Sequence, residues 1–123
     1  MITGSAAGAY FRISRDNSKD VKPLFELLSF GKFAVVDGSL EVLGLDKVIP
    51  EKKLQREIIT ELQSLNFKRE KGYSDVRMGL ALACAGWEKS PQVNSFLDSC
   101  IQSNDTQLQK VALNSKKGQY SSL

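Results

Sequence analysis

Residues 32–43 spell Lys32-Phe33-Ala34-Val35-Val36-Asp37-Gly38-Ser39-Leu40-Glu41-Val42-Leu43, two apolar runs separated by an Asp-Gly pair. Such a pair between apolar runs is typical of a two-residue β-turn, because both residues tolerate a positive φ. Cross-strand partners then share a face, and the apolar face holds Phe33, Val35, Leu40 and Val42. The stretch therefore predicts an antiparallel β-hairpin over about residues 32–43, and a slip by one residue would destroy this segregation.

A second period-two pattern lies upstream of the hairpin. Phe11 and Ile13 alternate with more polar neighbours between Tyr10 and Ser14. This alternation is typical of a half-buried strand. We expect a strand over residues 9–15, which would join the hairpin as an N-terminal third strand.

The most apolar helical segment is Met78-Gly79-Leu80-Ala81-Leu82-Ala83-Cys84-Ala85, preceded by a cap at Ser74 and ended by Gly86. A helix without a polar face is usually buried on all sides. The segment therefore predicts a central helix over about residues 75–86.

Other helices are predicted from apolar residues that recur at the spacing of one helical face. One covers about residues 50–65, and another begins at Ser90-Pro91, a serine cap followed by proline in the first turn. A short helix is expected over residues 21–30, and a last helix after residue 104. The predicted fold class is α+β and mainly helical, with four to five helices around the central helix and a small hairpin.

The chain of 123 residues is the usual size of one domain. We expect a single globular domain over residues 9–114, between two flexible ends. Residues 1–8 contain a Gly4-Ser5 pair typical of a cloning remnant, and residues 115–123 form a polar tail.

The composition argues against catalysis. The sequence has no histidine, which removes the commonest general base and metal ligand. Cys84 and Cys100 both fall on apolar stripes, where a thiol packs as a small hydrophobic residue, although a disulfide between neighbouring helices is the alternative. We therefore expect a non-enzymatic protein with no cofactor and no metal. Free thiols favour an intracellular location, cytoplasmic or nuclear. No apolar stretch reaches the length of a membrane span.

Two features are candidate parts of a binding surface. Trp87 follows the predicted central helix, and tryptophan is enriched at interface hot spots. A basic turn and a nearby arginine would form a rim around it: Lys68, Arg69, Lys71 and Arg77. With a formal charge of +3 and no catalytic residues, these features predict a protein-interaction domain that binds an acidic or amphipathic partner segment.

The same basic residues support an alternative, a domain that binds RNA or single-stranded DNA. The predicted nucleic-acid surface consists of Lys52, Lys53, Arg56, Lys68, Arg69, Lys71 and Tyr73. A helical domain with one hairpin and a basic face is similar in outline to small viral replication and nucleocapsid-associated domains, although no motif carries that likeness. A third hypothesis is a structural subunit that self-associates through an apolar face. The sequence leaves the oligomeric state open.

Overall fold

The computed structural model describes residues 4–14, 21–67 and 72–122. Over these ranges the chain forms seven α-helices and one 3-10 turn, with no β-strand. The helices are α1 (Gly4–Ser14), α2 (Lys22–Leu28), α3 (Phe33–Leu45), α4 (Lys52–Leu65), α5 (Met78–Ala83), α6 (Pro91–Ile101) and α7 (Thr106–Lys116), and the 3-10 turn covers Cys84–Gly86. The predicted α+β class is therefore wrong, and the fold is all-helical.

The predicted hairpin is a continuous helix, α3, with Asp37 and Gly38 in its middle. Most of its residues are buried, on several sides of the helix. When apolar residues occur on several sides of a helix, the sequence shows no clear 3.6-residue period. Such a sequence can then be read as two apolar strands. Gly38 is required by a close approach of α1: a Cβ at this position would lie 2.5 Å from the carbonyl carbon of Gly4.

The predicted N-terminal strand is also helical. In α1 the buried residues are Ala7, Gly8 and Phe11, at the three- and four-residue spacing of one helical face. Ile13, which the period-two pattern places beside Phe11, is 82% exposed. The two apolar residues therefore point in different directions, and α1 packs on α3 as a helix.

The central element is α3, which packs against α1, α2 and α5. The predicted central helix over 75–86 is shorter than expected: α5 covers only Met78–Ala83, although all of its residues are buried as predicted. The contact between α3 and α5 is close at a glycine on each helix: a Cβ on Gly44 would lie 2.5 Å from the Gly79 carbonyl oxygen, and a Cβ on Gly79 would overlap the backbone of Leu40.

Two capped helix starts, those of α6 and α7, were predicted correctly, whereas the predicted cap at Ser74 was wrong, because α5 begins at Met78 and has no side-chain cap. The Ser90 hydroxyl accepts a hydrogen bond from the Val93 amide at 3.3 Å, and Pro91 begins α6. The Asp105 carboxylate caps α7 by accepting from the Leu108 amide at 3.0 Å. Local capping chemistry is sufficient to locate these two helix starts.

Residues 117–122, for which the sequence predicts a flexible tail, lie against the helices. The Tyr120 hydroxyl lies over Gly86, and the Lys47 ammonium is 4.9 Å from the centre of the Tyr120 ring. Asn114 Nδ2 donates a hydrogen bond to the Ser121 hydroxyl at 2.8 Å. Across the described part of the chain, no helix combines the length and apolar character needed to cross a membrane.

Candidate binding groove between three helices

A groove of about 790 Å³ runs along one face of α3. Its floor is formed by α3, one wall by α1 and the other by α5, and residues 72–74 lie at the end nearest Phe33. The floor includes Asp37, Gly38, Glu41, Val42 and Leu45.

Small side chains leave this face of α3 open. The α1 wall presents Ser5, Gly8 and Ala9, and the α5 wall includes Gly79. None of these residues carries a side chain long enough to reach across the groove. Between the two walls, Glu41 and Leu45 on α3 are exposed and Asp37 is half-buried.

The floor of the groove carries two carboxylates, Asp37 and Glu41, one helical turn apart. Burial raises the pKa of Asp37 to about 6, and the negative charges of Glu41 and Asp75 add to the shift. In the residues that the structure describes, no lysine or arginine forms an ion pair with either groove carboxylate. Within the described ranges, the floor is therefore negatively charged and has no basic partner for its two carboxylates.

The arginine in the groove wall is already engaged. Arg12 donates two hydrogen bonds to the Asp46 carboxylate, at 2.9 and 2.8 Å. This bidentate contact and the charge of Asp46 raise the pKa of Arg12. Arg12 therefore holds its charge against Asp46 and does not neutralise the floor.

Apolar side chains bracket the two carboxylates. Tyr73 is 50% exposed at one end of the groove, where its ring packs edge-on against Phe33 with centroids 5.3 Å apart. Leu45 is 50% exposed at the other end of α3. An α-helix rises 1.5 Å per residue, so Phe33 and Leu45 are separated by about 18 Å along the helix axis.

The predicted partner-binding residues are not gathered in one surface. Trp87 is only 2% exposed, and its indole N–H donates to the Val48 carbonyl at 2.9 Å, so it is a core residue. Arg77 is partly buried and donates to the Asp75 carboxylate at 3.0 and 2.8 Å. Although burial opposes the effect, these bonds and the charge of Arg77 lower the pKa of Asp75. The other predicted rim residues, Lys68, Arg69 and Lys71, lie outside the described residues.

The predicted nucleic-acid set is divided as well. Lys52 and Lys53 begin α4, where they form ion pairs with Glu88 at 2.6 Å and Glu57 at 4.0 Å. Arg56 is exposed one turn later. The far end of α4, at Leu65, lies about 20 Å from Lys52 at 1.5 Å per residue. Lys68, Arg69 and Lys71, also in this set, lie outside the described residues. Tyr73 belongs to the groove.

The two cysteines do not provide a nucleophile. Cys84 and Cys100 are free and buried. Burial raises the pKa of both thiols, that of Cys100 to about 12. Both are therefore thiols at neutral pH, and the reactive thiolate form is suppressed. The described residues contain no group of three or more His, Cys, Asp or Glu side chains arranged to hold a metal ion.

Comparison with protein-family models, curated proteins and solved structures gives no match to this chain. The groove, which the sequence patterns did not indicate, is therefore the main basis for a functional proposal. Asp37, Glu41 and Leu45 are four residues apart in sequence, a signal that is visible only if the segment is taken as a helix.

Proposed function

We propose that this chain is a non-catalytic protein-interaction domain whose groove binds an amphipathic segment of a partner protein. The observation that carries the proposal is the open stripe of α3 between α1 and α5. Helical folds commonly bind partner segments in grooves between helices.

The distribution of charge refines the partner predicted from sequence. Asp37 and Glu41 lie on the floor, and Arg12 is engaged by Asp46. An acidic partner segment would be repelled by these carboxylates, as would the phosphates of a nucleic acid. The charges therefore support an amphipathic protein segment with a basic side in preference to the other two ligands.

A helical-peptide display library tests this proposal. The full chain is immobilised, and peptides of about 18 residues are selected for binding to it. In parallel, Ala9→Trp places a bulky ring on the α1 wall, where Ala9 is exposed and lines the groove. Ser95→Trp is the matched control, because Ser95 is exposed on α6 and lies outside the groove.

We expect selected peptides to bind the parent chain and the Ser95→Trp variant alike, and to bind the Ala9→Trp variant at least tenfold more weakly. Circular dichroism and thermal melting establish that both variants are folded. The proposal fails if no peptide is enriched, or if the enriched peptides bind Ala9→Trp as well as the parent chain.

A further inference from the structure

We infer that the groove selects a basic amphipathic helix, which presents two Lys or Arg side chains one turn apart to Asp37 and Glu41, between apolar side chains that contact Tyr73 and Leu45. This inference rests on the proposed function and specifies the chemistry of its partner. It is carried by the order of side chains along the groove: Tyr73 at one end, then Asp37 and Glu41, and Leu45 at the other end.

The spacing of the two carboxylates fits a helical partner. Asp37 and Glu41 are four residues apart on α3, which places their Cα atoms about 6 Å apart at 1.5 Å per residue. Two basic residues four apart on a partner helix have the same repeat. A partner helix lying along α3 can therefore align both cations with both carboxylates at once.

The ends of the groove add apolar anchors to the charged centre. Tyr73 and Leu45 are each 50% exposed, and both line the groove. Tyr73 packs on Phe33, which lies about 18 Å from Leu45 along α3, and this length corresponds to about three turns of a partner helix. Apolar residues about 11 positions apart on that helix would then reach both ends.

A helix fits this site better than an extended peptide does. Extended peptides commonly bind by adding a strand to an exposed sheet edge, and the described part of the chain has no strand. A helix satisfies its own backbone hydrogen bonds and needs only side-chain contacts. Ser5 and Ala9 on one wall are short and exposed, so they leave room for its backbone to approach α3.

Repulsion among the groove carboxylates makes the site selective for a basic partner. Asp37 is partly buried beside two other carboxylates, Glu41 and Asp75, and burial is the largest contribution to its raised pKa. Arg12, the arginine in the wall, is bonded to Asp46. A cation brought by the partner would relieve this repulsion, whereas a neutral side chain would not.

The test uses peptides that bind the parent chain and lose binding to Ala9→Trp. We expect these groove-binding peptides to be enriched in Lys or Arg pairs four residues apart. The double variant Asp37→Asn/Glu41→Gln should weaken their binding at least tenfold. The matched control is Glu57→Gln/Glu61→Gln, two exposed α4 carboxylates with the same spacing, and it should leave binding within twofold.

Exchanging the charges of the protein and the peptide distinguishes a lost ion pair from poor folding, because a poorly folded variant would not gain binding. With Asp37→Lys/Glu41→Lys, peptides whose two basic residues are replaced by Glu should bind better than the original peptides do. The inference is overturned if groove-binding peptides lack the basic pair, or if neutralising Asp37 and Glu41 leaves their affinity unchanged. Either result leaves the proposed function standing, whereas a failure to select any groove-binding peptide removes both.

Discussion

The contact between α1 and α3 can be tested by replacing Gly38 with alanine. Gly38 lies in the interior of α3, where alanine is intrinsically favoured over glycine by about 1 kcal/mol. From local helix propensity alone, Gly38→Ala should therefore stabilise the protein. The tertiary structure gives the opposite expectation.

The steric cost follows from the distances to α1. A Cβ on Gly38 would overlap the carbonyl oxygen of Gly4 and lie 2.5 Å from its carbonyl carbon and 2.7 Å from its Cα, so all three atoms it meets are backbone. Restoring ordinary contact requires α1 to move by roughly 1.5 Å, and a gap of about 1 Å already forfeits up to about half of each dispersion contact it opens. Overpacking of this kind costs about 3 kcal/mol, which exceeds the propensity gain and leaves a net destabilisation of about 2 kcal/mol.

Urea denaturation followed by circular dichroism measures this change. We expect a lower midpoint for Gly38→Ala at an unchanged slope, and a smaller loss for Gly4→Ala, whose Cβ would lie 2.9 Å from a single oxygen of Ala34. Ser95→Ala, at an exposed position on α6, should change the free energy of unfolding by less than about 0.5 kcal/mol. A neutral or stabilising Gly38→Ala would refute the close packing of α1 on α3.

Individual side chains provide three further predictions. Trp87→Phe should lower the free energy of unfolding by about 1–2 kcal/mol, because the buried Val48 carbonyl loses its indole donor; an unchanged urea midpoint would contradict this. Since the pKa of Asp37 is about 6 in the folded chain, against 3.8 for an ordinary aspartate, its ionisation opposes folding, so its contribution should make the protein more stable as the pH falls from 7 towards 4. Asp37→Asn should stabilise the protein at pH 7 by about 1 kcal/mol after allowance for solvent screening. Urea denaturation at pH 7 and pH 4 measures this difference. Equal stability of the variant and the parent at pH 7 would exclude the effect. Cys84 and Cys100 should react with a thiol reagent only at the rate of unfolding, since both are buried and their pKa values are raised; rapid labelling in native buffer would show that they are accessible.

The helices that were predicted correctly have strong local signals. Ser90-Pro91 and Asp105 act through hydrogen bonds to amides three residues away, so neighbouring sequence is enough to locate the starts of α6 and α7. The helix predicted over 50–65 is α4, Lys52–Leu65, whose apolar stripe and charged face give a clear 3.6-residue period.

The hairpin prediction failed because its sequence signal was ambiguous at short range. Asp37-Gly38 suits a turn, yet both residues lie in the middle of a helix. The reason for Gly38 is the backbone of Gly4, 34 positions earlier in the chain, which a local pattern cannot reveal. Burial on several sides of α3 also removed the helical period that would have corrected the interpretation.

The candidate site was hidden by the same error. In a hairpin, Asp37 lies in the turn and Glu41 on a strand, so they share no surface, whereas in a helix they lie one turn apart on the same face. Trp87 was a candidate for the surface because sequence does not distinguish a buried tryptophan from an exposed one. Its hydrogen bond to Val48 joins segments 39 residues apart.

By itself, the sequence determined the capped starts of α6 and α7, the amphipathic helix α4, the apolar character of Met78–Ala83, and a composition without histidine. Those features depend on side chains within a few residues of one another, or on counting residues. Only the tertiary structure decided that α3 is the central helix and that the groove beside it is acidic and open. The position of α3 depends on glycines at which backbones distant in sequence come into contact. The charge of the groove depends on which carboxylates have no basic partner among the described residues. A local sequence period encodes neither.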